Sequence, residues 1–205
     1  TQISGKTIGL IGTGAIGREL ARMVKALGCR VIAWSFHPDP SIAEPASLED
    51  VFRHSDVVSI HVRQSTDTTS WITADHFRLM KPTAIFVNTA RGRIVCQADL
   101  VDVLVHRRIA AAGLDVFEEE PIPQGSPLRD LPNVVLTPHS AGITPEVTEA
   151  GIAMAIENIL AFEAGHAHHV EFVEVRRRDR KKAQPLKQRM AEILSLLENA
   201  PVEDQ

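Results

Sequence analysis

Four ionisable side chains between positions 91 and 139 have types that could do chemistry together: Arg91, Asp115, Glu120 and His139. An arginine can bind a carboxylate through two parallel N–H donors, which a lysine does less well. A histidine ionises near neutral pH and can carry a proton to or from a reacting atom. A carboxylate such as Glu120 would orient the ring and favour its charged form. These residue types predict a site that binds a small carboxylic acid and moves a proton.

One segment upstream has the glycine spacing of a dinucleotide-binding loop: Gly12-Thr13-Gly14-Ala15-Ile16-Gly17. An apolar run over residues 8–11 precedes it, and residues 16–27 carry apolar side chains at helical spacing. Gly12 would permit a tight turn, Gly14 would let the backbone approach a pyrophosphate, and Gly17 would let helix and strand pack closely. The alternative is a strand-to-helix turn that merely needs glycine. The position between a strand and a helix favours dinucleotide binding.

The end of the second predicted strand bears on the choice of cofactor. A site specific for NAD usually has Asp or Glu there to hold the ribose hydroxyls. This chain has Ser35, followed by His37 and Asp39. Ser35 could bond a 2′-phosphate and His37 could add charge, but no Arg or Lys follows. The sequence therefore predicts NAD or NADP as cofactor and leans slightly towards NADP or the use of both.

Strand-like and helix-like segments alternate along residues 1 to about 140. The predicted strands cover residues 8–11, 30–34, 56–61, 84–88, 110–116 and 134–137. The predicted helices cover residues 16–27, a short stretch after a capping box at 47–50, 98–105 and 144–164. Continuous apolar strands favour a parallel sheet covered on both faces. The alternation predicts an α/β fold with a Rossmann-type doubly wound parallel sheet, whose carboxyl-terminal edge would carry Arg91, Glu120 and His139.

The sequence changes character after residue 170. Residues 176–182 form a basic run, and apolar residues recur at helical spacing from Leu186 to Leu197. The predicted organisation is a dinucleotide-binding domain over residues 1–170 and a charged linker with an amphipathic helical tail over 171–205. Because the basic run lacks interleaved aromatic residues, neither nucleic acid nor a membrane is expected as a partner.

Composition sets wider bounds on the function. The formal net charge is −4 and 44% of residues are apolar, which is usual for a globular protein. Cys29 and Cys96 are the two cysteines, and they are too few for a metal site or a disulfide framework. A reducing compartment follows, and without a signal peptide we expect the cytoplasm. The chain opens without Met, so an upstream segment could be missing.

Taken together, these motifs resemble the cofactor-binding domain of the D-isomer-specific 2-hydroxyacid dehydrogenases, over about residues 5–165. Further segments match the family pattern: Ser59-Ile60-His61-Val62, Asn88-Thr89-Ala90-Arg91-Gly92, Thr137-Pro138-His139-Ser140-Ala141-Gly142 and Leu131-Pro132-Asn133-Val134. The resemblance implies that Arg91 binds the substrate carboxylate and carbonyl, that Glu120 partners the histidine, and that His139 is the acid/base. It also implies that Asp115 meets the nicotinamide carboxamide. The residues expected to bind the dinucleotide are Gly12, Gly14, Ala15, Ile16, Gly17, Ser35, His61, Thr89, Ala90, Arg91, Asp115, His139, Ala141 and Gly142.

The implied reaction is NAD(P)-dependent interconversion of a D-2-hydroxy acid and a 2-oxo acid, in a homodimer. Members of this family also have an N-terminal substrate-domain segment, which we expect this chain to lack, and the tail does not match the family's usual return to that domain. The chain is therefore expected to bind cofactor and to turn over poorly. The alternatives are a dinucleotide-responsive binding module, similar to the corepressors that share this fold, and an inactive truncated product.

Overall fold

The computed structural model describes residues 2–163, in which strands and helices alternate. The strands are β1 Thr7–Ile11, β2 Arg30–Trp34, β3 Glu44–Pro45, β4 Val57–Ile60, β5 Ile85–Asn88, β6 Ala111–Leu114 and β7 Val134–Leu136. The helices are α1 Ala15–Ala26, α2 Leu48–His54, α3 Ala74–Phe77, α4 Gln97–Val105 and α5 Pro145–Glu163. Single 3₁₀ turns cover Gly92–Ile94 and Pro127–Arg129.

The strands form one parallel sheet of seven strands in the order β3-β2-β1-β4-β5-β6-β7. The chain runs outward from β1 to β3, and then returns to β4 on the other side of β1. In an open sheet of this kind, ligands bind beyond the carboxyl ends of the strands, at the point where the strand order reverses. That point lies between β1 and β4. The predicted doubly wound α/β fold is confirmed.

Local sequence explains where the first helices begin and end. Helix α1 ends at Ala26 with Leu27 as its C-cap residue, and Gly28 follows in the left-handed region with φ of 80°. The Gly28 amide donates to the Lys25 carbonyl and the Cys29 amide to the Val24 carbonyl, so the last carbonyls of the helix are satisfied. At the start of α2, the Ser47 hydroxyl accepts a hydrogen bond from the Asp50 amide at 3.0 Å, as the predicted cap requires.

Two apolar layers hold the sheet. On one face, α1 packs its Ala21 and Val24 against Ile8 and Leu10 of β1. On the other face, α2, α3 and α4 cover the sheet with a larger cluster. Its fully buried aromatic residues are Phe52, Phe77 and Phe86. Right-handed crossovers place the helices after β1 and after β3 on opposite faces, because the chain moves in opposite directions along the sheet.

Coverage is not complete on the α1 face. Val57, Ile85 and Val135 lie on that face according to the strand register. Ile85 is 39% exposed and Val135 is 68% exposed. Within residues 2–143, the expectation of a sheet covered on both faces therefore holds at β1 and β2 but not at β5 and β7. The crossovers after β4 and β5 place their helices on the opposite face, which explains the difference.

The strand and helix boundaries differ from the sequence expectation in small ways. The strands predicted over 56–61 and 110–116 are shorter, since their last residues already belong to the loops that carry polar side chains. Strand β3 and helix α3 were not predicted. Glu44–Pro45 is only two residues long and Ala74–Phe77 only four, so neither carries a periodic pattern.

The chain divides into two compact units, residues 1–143 and 144–205. In the second unit, α5 begins as expected, with the Thr144 hydroxyl accepting a hydrogen bond from the Val147 amide at 3.2 Å. Ala164 and the tail predicted over 171–205 lie outside the described residues. Among residues 2–163, no helix is both long enough and apolar enough to cross a membrane.

Candidate active site

Three adjacent strands deliver the side chains that could do chemistry. Arg91 follows β5, Glu120 follows β6 and His139 follows β7. Because β5, β6 and β7 are neighbours in a parallel sheet, their carboxyl ends meet at one edge. The structure therefore places all three residues at the edge where the sequence predicted them.

His139 and Glu120 form a direct pair. The His139 Nδ1 atom lies 2.7 Å from the Glu120 Oε2 atom, and both side chains are partly exposed. The Glu120 Oε1 atom also accepts a hydrogen bond from the Phe117 amide at 3.0 Å. The bond to His139, followed by the bond from Phe117, lowers the pKa of the Glu120 carboxyl below its usual range. Glu120 therefore stays charged at neutral pH and orients the ring of His139.

Asp115 holds the segment that carries His139. Its carboxylate accepts hydrogen bonds from the Thr137 hydroxyl, from the Ser140 amide at 2.9 Å and from the Ala141 amide at 2.9 Å. Burial alone would raise the pKa of Asp115, but the hydrogen bonds outweigh burial and lower the pKa. Asp115 is only 3% exposed, so the bonds are well shielded from water. A contact with a nicotinamide carboxamide, as the resemblance implies, would have to use the remaining lone-pair capacity of the carboxylate.

The backbone of His139 is itself unusual. Its φ is 53°, in the left-handed region that non-glycine residues rarely adopt. Such a conformation costs on the order of 1–3 kcal/mol and persists where the surroundings impose it. The bonds from Ser140 and Ala141 to Asp115 supply that restraint. Strain of this kind concentrates at functional sites, which agrees with a chemical role for His139.

Arg91 is held by the buried side chain of Asn88. The Asn88 amide group donates to the Arg91 carbonyl at 3.0 Å, and its oxygen accepts from the Ala90 amide at 3.0 Å. A methyl group on Gly92 would lie 1.9 Å from the Phe117 carbonyl carbon, so only glycine fits between the loops that carry Arg91 and Glu120. The Arg91 side chain is exposed, its Nη1 atom donates to the Ala90 carbonyl, and its charge contributes to the lowered pKa of Glu120.

The glycine loop has the geometry that a dinucleotide needs. Gly12 has φ of 103°, which agrees with the expected tight turn. A methyl group on Gly17 would lie 2.3 Å from the Gly12 carbonyl oxygen, so α1 and β1 approach as closely as expected. A methyl group on Gly14 would meet nothing within 4 Å. The open space at Gly14 fits a pyrophosphate, which would bind against the backbone there and at the start of α1.

Two adjoining pockets share Ile16, His61 and Thr89. The larger, of about 550 Å³, is apolar and lies along α1 on the α1 face of β4 and β5, and it is lined by Ala15, Ile16, Glu19, Leu20, Met23, Ser59, His61, Val87 and Thr89. The second, of about 470 Å³, is lined by Ile16, His61, Val62, Arg63, Gln64, Thr89, Ala90 and Arg91. Burial lowers the pKa of His61 to about 4, and its Nε2 atom lies 2.9 Å from the Ser59 hydroxyl. The imidazole of His61 is therefore neutral at neutral pH.

Some predicted residues lie outside these pockets. Ser35 follows β2, and its hydroxyl accepts a hydrogen bond from the His37 amide at 3.3 Å. Ala141 is bonded to Asp115, and a methyl group on Gly142 would meet nothing within 4 Å.

Two arginines that the structure brings to this edge of the sheet were not predicted from the sequence as site residues. Arg63 lines the second pocket, and Arg18 of α1 lies 3.8 Å from Asp39, beyond the end of β2. Arg63 could have been noticed because it follows a predicted strand, as Arg91 does. Asn88 was also missed as a positioning residue, although it was quoted as part of the motif around Arg91. For Arg18 the sequence offers no comparable signal.

Comparison with known proteins agrees with this geometry. Residues 1–141 match the model of the D-isomer specific 2-hydroxyacid dehydrogenase, NAD binding domain. A glyoxylate reductase of Aeropyrum pernix is 45% identical over 169 residues, which cover 80% of this chain and 50% of that protein. The chain spans about half the length of the curated relatives that it matches.

Comparison with solved structures also finds proteins of this kind. A D-lactate dehydrogenase with NAD⁺ from Lactobacillus jensenii superposes with a TM-score of 0.78 at 31% identity, covering 85% of this chain and 57% of that one. An acyclic imino acid reductase in complex with NADPH and D-Arg superposes with a TM-score of 0.78 at 34% identity, covering 84% of this chain and 55% of that one. The chain belongs to the D-isomer-specific 2-hydroxyacid dehydrogenase family and has the fold of its NAD-binding domain.

Proposed function

We propose that this chain is the cofactor-binding and catalytic part of an oxidoreductase that interconverts a small D-2-hydroxy acid and its 2-oxo acid. The observation that carries the proposal is the His139–Glu120 pair, 2.7 Å apart, at the sheet edge that also holds Arg91 and the glycine loop. A protein that only bound a dinucleotide would need the loop but not this pair. A reaction that transfers a hydride and a proton needs both the loop and the pair.

The geometry suggests how the residues divide the work in the direction of reduction. Arg91 is exposed and could bind the carboxylate of the oxo acid through two parallel N–H donors. The Nδ1 atom of His139 is engaged by Glu120, which leaves Nε2 to donate a proton to the carbonyl oxygen of the substrate. In the reverse direction the same nitrogen would accept the hydroxyl proton. Glu120 would stabilise the protonated ring in both directions.

The residues that would hold the cofactor are those of the glycine loop and of the loops after β4, β5, β6 and β7. A bound nicotinamide dinucleotide would supply the hydride in reduction and accept it in oxidation. Gly14 and the first turn of α1 would meet the pyrophosphate, and Asp115, Ala141 and Gly142 would lie towards the nicotinamide end.

A fluorescence titration of the chain with NADH and NADPH tests the first half of the proposal. We expect saturable binding, followed by slow glyoxylate-dependent oxidation of the bound dinucleotide. A panel of small 2-oxo acids, including hydroxypyruvate, would then define the substrate. Binding without any oxidation across the panel would favour the alternative of a dinucleotide-responsive binding module. Absence of binding would contradict the proposal altogether.

We also propose that the protein acts as a homodimer in the cytoplasm, as the family resemblance implies. Sedimentation velocity over a range of concentrations would measure the oligomeric state. A single monomeric species at all concentrations would contradict the dimer.

A further inference from the structure

The end of strand β2 lies directly beside the glycine loop. Trp34, the last residue of β2, pairs in register with Ile11 of β1. Its carbonyl accepts a hydrogen bond from the Gly12 amide at 2.8 Å. The residues that follow Trp34 are therefore next to the loop proposed to bind the dinucleotide, where the adenosine ribose of such a cofactor lies in folds of this type.

No carboxylate occupies the first position after β2. Ser35 stands there, half-buried, and its hydroxyl accepts a hydrogen bond from the His37 amide at 3.3 Å. The nearest acidic residue in sequence is Asp39, which is turned towards Ser41. The Asp39 Oδ1 atom accepts hydrogen bonds from the Ser41 amide at 2.9 Å and from the Ser41 hydroxyl at 2.6 Å. The position that would repel a 2′-phosphate is thus neutral and bears a hydroxyl.

A cation reaches this loop from the neighbouring helix. Arg18 lies in the first turns of α1, and its Nη2 atom is 3.8 Å from the Asp39 Oδ2 atom. The side chain of Arg18 is 62% exposed, so this contact is long, solvated and easily exchanged. Glu19, the adjacent acidic residue, is already paired with Arg22 at 2.6 Å and does not compete for Arg18. A phosphate dianion beside Ser35 would offer Arg18 a stronger partner than Asp39 does.

We infer that Arg18, together with the Ser35 hydroxyl, forms a site for the 2′-phosphate of NADP(H), so that this chain prefers NADP(H) over NAD(H). The inference rests on the proposed function, because it assumes that the glycine loop binds a dinucleotide. It supplies the arginine that the sequence lacks immediately after β2. Arg18 exchanges Asp39 for the phosphate, Ser35 donates its hydroxyl, and His37 lies in the same loop, where its charged form would add to the attraction.

The test compares two pairs of adenosine ligands, and the members of each pair differ only in the 2′-phosphate. The full 205-residue chain is titrated with NADPH and NADH by fluorescence, and with 2′,5′-ADP and 5′-AMP by calorimetry. We expect tighter binding of each 2′-phosphorylated ligand. The substitution Arg18→Met should raise the Kd for NADPH about tenfold or more, because a charged hydrogen bond is lost, and should change the Kd for NADH by less than about twofold. Asp39→Asn should tighten NADPH by freeing Arg18.

The matched control is Lys25→Met, which removes one positive charge from the exposed last turn of the same helix and leaves the Glu19–Arg22 pair in place. We expect it to leave both dissociation constants unchanged. Equal weakening of NADPH and NADH by Arg18→Met, an equal effect of Lys25→Met, or tighter binding of NADH by the unchanged chain would each overturn the inference while leaving the proposed function intact. Failure of the unchanged chain to bind any of the four ligands would overturn both.

Discussion

The His139 Nδ1 atom lies 2.7 Å from the Glu120 Oε2 atom and joins the loops that follow β6 and β7. The two residues are 19 positions apart, and each has a second restraint. Glu120 is fixed by the Phe117 amide, and the segment of His139 is fixed by Asp115. The pair is therefore preorganised, and in the proposed reaction its ring nitrogen Nε2 is the atom that would meet a substrate.

Replacing the imidazole should remove proton transfer. We expect His139→Gln to lower the rate of glyoxylate reduction by about 10²–10⁴-fold, the usual contribution of a general acid. Dinucleotide affinity should change far less, since the glycine loop is untouched. The pH dependence that a general acid gives to the rate should be absent from the residual activity of the variant. A pH–rate profile that the substitution leaves unchanged would contradict the assignment.

Removing only the charge of Glu120 tests its role as partner. Glu120→Gln keeps the size of the side chain and a hydrogen-bond acceptor for the ring. Because the pKa of Glu120 is lowered, the native carboxylate is charged throughout the neutral range, and the substitution removes that charge at every pH assayed. The pH–rate profile of reduction should then lie about tenfold or more lower across the neutral range, because the carboxylate no longer stabilises the protonated ring. Glu119→Gln is the matched control, because Glu119 is exposed and adjacent, and it should leave the profile in place.

The buried carboxylate of Asp115 should be needed for stability. In Asp115→Asn the amide nitrogen cannot accept hydrogen bonds, so one of the amides of Ser140 and Ala141 loses its acceptor. We expect a loss of about 1–3 kcal/mol in the free energy of unfolding at pH 7, measured by urea denaturation.

The pH dependence of that loss is also defined. The pKa of Asp115 is lower in the folded state than in the unfolded state, so its contribution is present above the unfolded pKa and is lost as pH falls through the folded pKa. The difference between the unchanged chain and Asp115→Asn should therefore shrink in strong acid. Asp67→Asn, at an exposed position, should show neither effect. Equal free energies of unfolding for Asp115→Asn and Asp67→Asn at pH 7 would count against a stabilising role for the hydrogen bonds that Asp115 accepts.

The open space at Gly14 can be probed with a single methyl group. We expect Gly14→Ala to keep the melting temperature nearly unchanged, because its Cβ atom would meet nothing within 4 Å. Its affinity for NADH and NADPH should fall about tenfold, since the methyl group would occupy space that a pyrophosphate needs. Gly125→Ala is the control, because the space there is equally open and remote from the site, and it should leave binding unchanged. Full affinity in Gly14→Ala would argue against a pyrophosphate at this glycine.

His61 should make the fold sensitive to mild acid. Its pKa is about 4 in the folded state against 6.5 when unfolded, because burial disfavours the charged ring. The unfolded chain therefore binds a proton first, and stability should fall by up to about 3 kcal/mol as pH drops from about 6.5 to about 4. His61→Asn should flatten this part of the curve of unfolding free energy against pH. Ser59→Ala keeps the buried imidazole and should keep the slope, and a steep slope in His61→Asn would exclude His61 as its source.

Much of the site could be predicted because it depends on short segments. The glycine loop, the residues after each strand and the cap at Ser47 are local patterns, and they lie where the sequence placed them. The three consecutive glutamates show the limit. Glu118 accepts a hydrogen bond from the Gln97 amide at the start of α4, whereas Glu120 contacts His139. The family pattern pointed to Glu120, but charge and spacing alone do not distinguish the two roles.

The amino-acid sequence by itself determined the alternation of strands and helices, the parallel sheet and the set of loops that carry polar side chains, because periodicity and turn residues act over a few positions. Only the tertiary structure decided which of those side chains meet. The contacts between Arg18 and Asp39, Asp115 and Ala141, and Glu120 and His139 join helix α1 to the loop after β2 and join the loops that follow β6 and β7. Such distances depend on strand order and on the packing of each helix against the sheet, which are properties of the folded chain as a whole.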